Sequence, residues 1–426
     1  MKRFVTLLLS LLMFVTVGFV PISAQTISSN TTWSEMTLSE DVNLKADKTI
    51  SVKGKITIDG NVTIEGVHDS VITRDSSYTG TIFEISAGSS LTLINVTIKG
   101  KEGSNYTGSA VVANVGSALL IKGATFEHHT LTTGDGAAIL AGSNTYVIIY
   151  GPSVFSDNKT LDGNGGAIAV AGTSNGLFSN LYITETDFTN NLASKNGGAI
   201  HATGCIETGI NKSTITGSVA ENGDGGAICT NGSLKVIDSR ITGNKAKDNG
   251  GSLYIKEKKL TDSYGTYAGI YIENSEISYS AANSGETIYT GGTVNAKDST
   301  ILGMVVCGAS ILNNVIRDTE LEVYKGYTVG YLKNEYEGKP ISINSAEGLI
   351  EFFTKDDLFD AIDYFSKEGL ISKDLLTFSQ ECDIDFSSVA VEAGRKAYIL
   401  TNAKNFSYDG NGYKMRGLSV PLFDNL

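Results

Sequence analysis

From Val42 to Gly66, apolar and polar residues alternate in short runs, Ile50 and Val52, Ile56 and Ile58, Val62 and Ile64, separated by Lys53-Gly54 and Asp59-Gly60-Asn61. A period of two bounded by turn residues predicts short strands buried on one side. The alternation returns at Ile82-Phe83-Glu84-Ile85, Leu91-Thr92-Leu93, Val96-Thr97-Ile98, Val111-Val112 and Ala118-Leu119-Leu120-Ile121. A second, longer period is superimposed between residues 126 and 251. A bulky apolar residue is followed by a small pair and another apolar residue: Phe126 with Gly136-Ala137-Ala138-Ile139, Phe155 with Gly165-Gly166-Ala167-Ile168, Phe188 with Gly197-Gly198-Ala199-Ile200, Ile215 with Gly225-Gly226-Ala227-Ile228, Ile241 with Gly250-Gly251-Ser252-Leu253. Successive pairs lie 29, 32, 28 and 25 residues apart. Units of that size cannot bury an apolar face alone and must stack. About three strands per unit then predict an all-β, right-handed parallel β-helix over residues 25–335.

In that helix Ile168, Ile200, Ile228 and Leu253 form one inward ladder, and Phe155, Phe188, Ile215 and Ile241 another. The glycines supply positive φ where coils approach closely. Ahead of them stands Asp135, Asn164, Asn196, Asp224 or Asn249, read as a turn device that tolerates the left-handed conformation and bonds its own backbone, with a calcium site as the sharper alternative. Past Ile288 the coils continue with less regular turns. Near Ser345 the pattern changes. Thr354-Lys355-Asp356-Asp357 reads as a helix start, Leu358, Ile362 and Phe365 follow at helical spacing, and Gly369 is placed to stop the helix. Leu376-Thr377-Phe378 and Ala397-Tyr398-Ile399-Leu400 read as strands, with a turn at Asp409-Gly410-Asn411-Gly412. Residues 340–426 are therefore expected to form a small α+β C-terminal module.

The first residues change the picture of where the chain works. Lys2-Arg3, an apolar run from Phe4 to Val20 and the small-residue site Ile22-Ser23-Ala24 predict a signal peptide over residues 1–24. No later segment is apolar enough to span a bilayer, so direct membrane insertion of the mature chain is not expected. Losing Lys2 and Arg3 leaves 31 basic residues against 46 acidic ones, a net charge of −15, which argues against nucleic acid and anionic lipid as partners. Four cysteines make no disulfide framework in an exported chain of 426 residues and are read as free core thiols. Glycine at 48 residues with only 4 prolines suits a fold that turns constantly while keeping its amides bonded.

The recurrence of Phe155-x-x-Asn158 with Gly165-Gly166-Ala167-Ile168, and of Phe188-x-x-Asn191 with Gly197-Gly198-Ala199-Ile200, resembles the repeat of the chlamydial polymorphic outer membrane proteins and related adhesin-like proteins. Those repeats carry GGA(I/L/V) and FxxN elements on a parallel β-helix passenger, a solenoid of the pectate-lyase-like kind. Departures are Glu127-His128-His129 after Phe126, Thr216-Gly217-Ser218 after Ile215, and Ile241 in place of Phe with Asn244 kept. The family's terminal membrane barrel has no counterpart in the strand pattern here. Instead, Ala346-Glu347-Gly348-Leu349, Cys382-Asp383-Ile384-Asp385-Phe386, Tyr408-Asp409-Gly410-Asn411-Gly412-Tyr413 and Pro421-Leu422-Phe423 resemble the lead-in to GLUG-type surface repeats. The module is thus expected to be the truncated start of a further repeat unit.

The resemblance implies an exported, non-enzymatic adhesin-like protein, secreted or held at the cell surface in association with an outer membrane or cell wall. Its partner would be a host-surface protein or a glycan. Function on such a scaffold sits in inserted loops. Tyr264 and Tyr267, in the long insertion between Gly250 and Gly285, and Phe178, in a shorter one, are the candidate ligand-binding residues. The alternatives are a polysaccharide-degrading lyase or glycosidase and a purely structural spacer. Hydrolysis needs clustered carboxylates, and the pair Asp356-Asp357 lies outside the coils. A lyase needs a basic residue beside a cation, and Arg74, Arg240, Arg317, Arg395 and Arg416 are scattered. His128-His129 is placed at a turn, where a metal pair lacks a third ligand, and His201 is read as packing or exposure on a strand. No catalytic residue, metal or cofactor is expected.

Overall fold

The alternation becomes three short strands per coil, each hydrogen-bonded in parallel to its counterpart one coil on. The structure, a computed structural model, describes residues 24–67, 69–171, 178–255, 269–317, 321–323, 340–354, 366, 376–391, 396–399 and 406–423. Residues 1–23, where a signal peptide is expected, and Tyr264, Tyr267, Asp356 and Asp357 lie outside the described residues. In one coil the strands are Ile139–Ala141, Tyr146–Tyr150 and Ser153–Ser156, which pair with Ile168–Val170, Ser179–Thr184 and Thr186–Thr189. The stack is a parallel β-helix. It begins with Gln25–Ile27, ahead of Val42 where the alternation first becomes strict.

Period-two geometry sends every second side chain inward, and coil stacking turns those side chains into axial ladders. One runs Phe83, Val111, Ile139, Ile168, Ile200, Ile228, Leu253, Ile288, Val305. Another runs Ile50, Ile72, Ile98, Phe126, Phe155, Phe188, Ile215, Ile241, Ile277, Ile301. Both ladders are buried. The Phe126, Phe155 and Phe188 rings stack with centroids 5.0 and 4.8 Å apart and planes within 8°, because strand pairing imposes nearly the same translation on identical side chains.

The glycine pair serves two ends. Gly197 has φ 65°, and a Cβ on Gly198 would run into the Gly226 carbonyl oxygen. The Asx residues before the pairs correct one expectation: none of the five has a positive φ. Each instead reaches along the axis. Asn164 donates its backbone N–H and its amide Nδ2 to Asp135 Oδ1 at 2.7 and 3.0 Å, Asn196 does the same to Asn164 Oδ1, and Asn249 to Asp224 Oδ1. The Asx row ties coil to coil, and the left-handed turn is made by the glycine that follows.

From residue 130 onward each coil gains a fourth, two-residue strand, giving a five-stranded sheet of Thr130–Leu131, Lys159–Thr160, Leu192–Ala193, Val219–Ala220 and Lys245–Ala246. Past Ile288 the turns disappear into long strands, Ile288–Ile301 and Val305–Arg317. In the C-terminal part, Pro340–Ile343, Leu376–Gln380 and Phe406–Asp409 form a parallel sheet around a second core that includes Leu349, Phe378 and Phe386. The helix here spans Ala346–Thr354, with Ser345 Oγ accepting the Gly348 N–H at 3.1 Å as its cap. The helix expected from Thr354 through Leu358, Ile362 and Phe365 to Gly369 is a separate one, and apart from Thr354 these residues lie outside the described residues. Ala397–Ile399, expected as a strand, contributes a single bridge from Ile399 to Phe423.

Candidate ligand-binding face

The inward ladders leave the opposite side chains of each strand outside. On the longest strands these outward rows are unusual. Register places Ala118, Tyr146 and Asn180 in one row, Leu120, Ile148 and Tyr182 in the next, and Lys122 and Tyr150 in a third. The strands Ala118–Lys122, Tyr146–Tyr150 and Ser179–Thr184 contain no acidic residue, although the chain carries 46. Lys122 lies 5.9 Å from the centroid of the Tyr150 ring. One coil on from Tyr182 stands Gly209. A Cβ there would sit 3.0 Å from Tyr182 Cδ1, so the tyrosine ring leans over the bare backbone. Burial, with the Glu207 charge adding to it, raises the Tyr182 hydroxyl above the usual tyrosine pKa.

A bulge sharpens the relief. Ser179 pairs with Cys205 but Leu181 pairs with Thr208, so Ile206 and Glu207 together oppose Asn180. Ile206 is thrown out to 49% exposure, two coils on from Tyr146 at 43%, with Phe178 at 40% exposed ahead of the bulged pair. Glu207 is ion-paired with Lys235. The result is an aromatic and apolar shelf with a polar rim, the kind of exposed patch that marks a binding surface. Phe178 stands at its edge. Tyr146, Tyr182 and Lys122 do not stand out in the sequence because Tyr146-Val147-Ile148-Ile149-Tyr150 reads as one apolar run, and only strict alternation separates its outer tyrosines from its core.

The histidines correct a second expectation. His128 has φ 59° and stands in a turn, but His129 is buried. Arg74 donates from Nη1 to His129 Nδ1 at 3.0 Å, from Nε to Gly80 O at 2.7 Å and from Nη2 to Gly108 O at 2.7 Å. Arginine cannot accept a hydrogen bond, so Nδ1 is the acceptor and Nε2–H donates to Ile98 O at 3.0 Å. The guanidinium lies 4.1 Å from the Tyr106 ring centroid. Burial, aided by the Arg74 charge, pushes the His129 pKa down to about 3, and burial pulls Arg74 down to about 10. This cluster holds a corner of the coil together. His201 faces outward in a row with Ala169 and Cys229.

The remaining polar residues of the repeat are structural as well. Asn158 and Asn191 are buried, and each donates Nδ2 to a phenylalanine carbonyl one coil back, Phe126 O at 3.0 Å and Phe155 O at 2.9 Å. Asn244 does the same to Ile215 O at 3.0 Å. At another corner, Ser213, Ser239 and Ser275 each accept the N–H of the residue one coil before, at 3.0 to 3.1 Å. Cys205, Cys229 and Cys307 are free and buried; Cys382 is free but only half-buried, outside the core role expected of it. Burial raises the thiol pKa of Cys205 and Cys307 to about 12, which leaves them unreactive near neutrality. The Asx oxygens Asp135 Oδ1, Asn164 Oδ1 and Asp224 Oδ1 accept N–H donors from the next coil. Among the described residues, no group of three or more His, Cys, Asp or Glu side chains is arranged to hold a metal ion.

The fold and this division of labour define a class: a repeat solenoid whose recurrent residues maintain the stack and whose outer face varies. Within it, residues 152–171 and 185–203 match the Chlamydia polymorphic membrane protein (Chlamydia_PMP) repeat. Each matched stretch runs from the FxxN strand through the Gly-Gly-Ala-Ile phrase, so the resemblance lies in the ladder residues. No curated protein and no solved structure matches the chain.

Proposed function

We propose that the chain is a surface or outer-membrane adhesin-like protein that uses its β-helix to present binding surfaces to a host-surface protein or a glycan. The observation that carries this reading is the pair of matched repeats, which belong to a family of membrane proteins by description. The geometry is in keeping with it. FxxN and Gly-Gly-Ala-Ile side chains are consumed in hydrogen-bonded and apolar ladders, so binding falls to outward positions such as the Tyr146 and Tyr182 shelf and to the insertions carrying Phe178, Tyr264 and Tyr267. His129 and Arg74, both shifted by burial, lie against each other rather than in an open cleft, which is in keeping with binding. Two measurements test the reading. Protease shaving of intact producing cells should degrade the chain, and beads coated with residues 25–426 should adhere to a panel of host-cell and extracellular-matrix surfaces without releasing reducing ends from polysaccharide. A chain protected inside intact cells, or one that depolymerises glycans, would overturn it.

A further inference from the structure

The outer face of the Ala118–Lys122, Tyr146–Tyr150 and Ser179–Thr184 strands has a chemistry of its own, and its ligand class can be read from it. This step rests on the proposed binding role. Tyr182 leans over Gly209, and Tyr146 is 43% exposed in the coil before, diagonally across the sheet. Rings held in this way offer apolar surface to a flat, amphipathic partner. A pyranose ring is such a partner: one side of the ring is C–H and its edge is hydroxyl. The rim supplies hydrogen-bonding groups at the right places, the Asn180 amide between the two tyrosines and Lys122 beyond Ile148.

Charge decides the kind of sugar. The chain carries a net charge of −13, yet these three strands present no carboxylate and one ammonium. Among the described residues Lys122 has no ion-pair partner, and it faces the Tyr150 ring. We propose that this face binds an acidic glycan, with pyranose rings stacked on Tyr182 and Tyr146 and a uronate carboxylate at Lys122. Lys122 and Tyr182 are two coils apart, about 10 Å along the axis at strand spacing. That span suits an oligosaccharide that stacks one ring at Tyr182 while placing a single carboxylate at Lys122, two sugars away. A densely charged polyanion such as nucleic acid is disfavoured, because one lysine offers little counterion release against the acidic surroundings.

The experiment uses residues 25–426 and hyaluronan octasaccharide as the probe, with chitohexaose as the neutral comparison and poly-glutamate as the acidic polypeptide. Calorimetric titration should detect hyaluronan binding that weakens roughly tenfold in Tyr182→Ala and severalfold in Lys122→Gln, with weaker binding to chitohexaose that is indifferent to Lys122→Gln. Ile148→Glu places a carboxylate in the middle of the face and should abolish binding. Far-UV circular dichroism and the melting temperature check that the variants are folded; the Tyr146→Ala variant provides a second outward truncation if Tyr182→Ala is not. No hyaluronan binding, binding untouched by the folded face variants, equal binding of chitohexaose, or preferred binding of poly-glutamate would each overturn the proposal. If beads still adhere while hyaluronan is refused, the face assignment fails and the surface-binding reading stands. If neither occurs, both fail.

Discussion

Coils before residue 130 and coils after it solve the same problem in different ways. Beyond the Phe and Ile ladder each coil must satisfy polar backbone at a buried corner. The later coils do so with one amide per turn: Asn158 and Asn191 each donate to the carbonyl of the phenylalanine one coil back, and the Asn191 Oδ1 accepts both the backbone N–H and the Nδ2 of Asn158. The earlier coils fill the corner once, with the Arg74, His129 and Tyr106 cluster. His129 joins the two regions, because its backbone N–H is donated to Asn158 Oδ1 at 3.3 Å. The amide ladder can be extended by copying a short phrase; the cluster cannot be copied. Repetition in the sequence therefore marks the first solution and is silent about the second.

The ladders common to both regions set the largest expected effect. Ile200 lies between Ile168 and Ile228 and is fully buried. Ile200→Asp should cost more than about 4 kcal/mol or prevent folding, because a carboxylate would be enclosed with no partner. On the outer face, Tyr146→Ala should shift stability by less than about 0.5 kcal/mol. Urea unfolding of the two variants compares inside with outside directly. Similar losses from both would mean that the register assigned to these strands is wrong.

The amide ladder comes next. Asn191→Ala removes a second donor to Phe155 O, which keeps its place in the strand ladder, and the acceptor for Asn158 N–H, leaving that buried N–H without a partner. A loss of about 1–3 kcal/mol for the unsatisfied N–H is expected. A fall in stability within the range of surface substitutions would show that the ladder is replaced by water.

How far the chain could be read follows from this contrast. Phe155, Phe188 and the Gly-Gly-Ala-Ile phrases announced both inward ladders because strand pairing forces like side chains into register. The Asx row was seen but its job was not, since a sequence does not say whether Asn196 bonds its own turn or the coil beside it. The sequence marks His128-His129 as a turn, whereas the alignment of His129 with Asn158, Asn191 and Asn244 puts it at the buried corner. The tyrosine shelf stayed hidden for a different reason: outward Ile148 and inward Ile149 look alike, and which one faces solvent depends on the pairing register. The helix at Ala346–Thr354 escaped notice because Gly348 weakens its propensity, and capping by Ser345 with burial of Leu349 restores it.

The one-off cluster predicts a pH dependence that the amide ladder lacks. Folded His129 takes up a proton only near pH 3, while the unfolded residue does so near its ordinary 6.5. Between those values the unfolded chain binds more protons, so this contribution to stability is present above pH 6.5 and is lost as the pH falls through the window. The slope contributed by one such group is at most about 1.4 kcal/mol per pH unit. His129→Gln keeps an acceptor for Arg74 and does not titrate. Its stability curve between pH 6.5 and 4 should be flatter than that of the parent, and parallel curves would place His129 in contact with water.

The smallest effect is the sharpest, because it asks whether the later solution can be completed. Ser218 occupies the ladder position between Asn191 and Asn244: its N–H is donated to Asn244 Oδ1 at 2.9 Å, but its own Oγ is buried without a partner. The hydroxyl is too short to reach where the neighbouring amides reach. Ser218→Asn would place Nδ2 toward Phe188 O and Oδ1 toward the Asn191 N–H, repeating the geometry of Asn158 and Asn191 one coil away. The gain expected is about 1 kcal/mol, the net worth of one to two buried hydrogen bonds less the cost of fitting the larger side chain. The double variant Asn191→Ala/Ser218→Asn should keep the part of that gain that comes from Phe188 O and the backbone N–H at 191, and lose only the part that depends on an amide donor from the side chain at 191. If Ser218→Asn destabilises the protein, the corner there is narrower than at Asn158. The interruption of the repeat would then be a packing requirement of that coil.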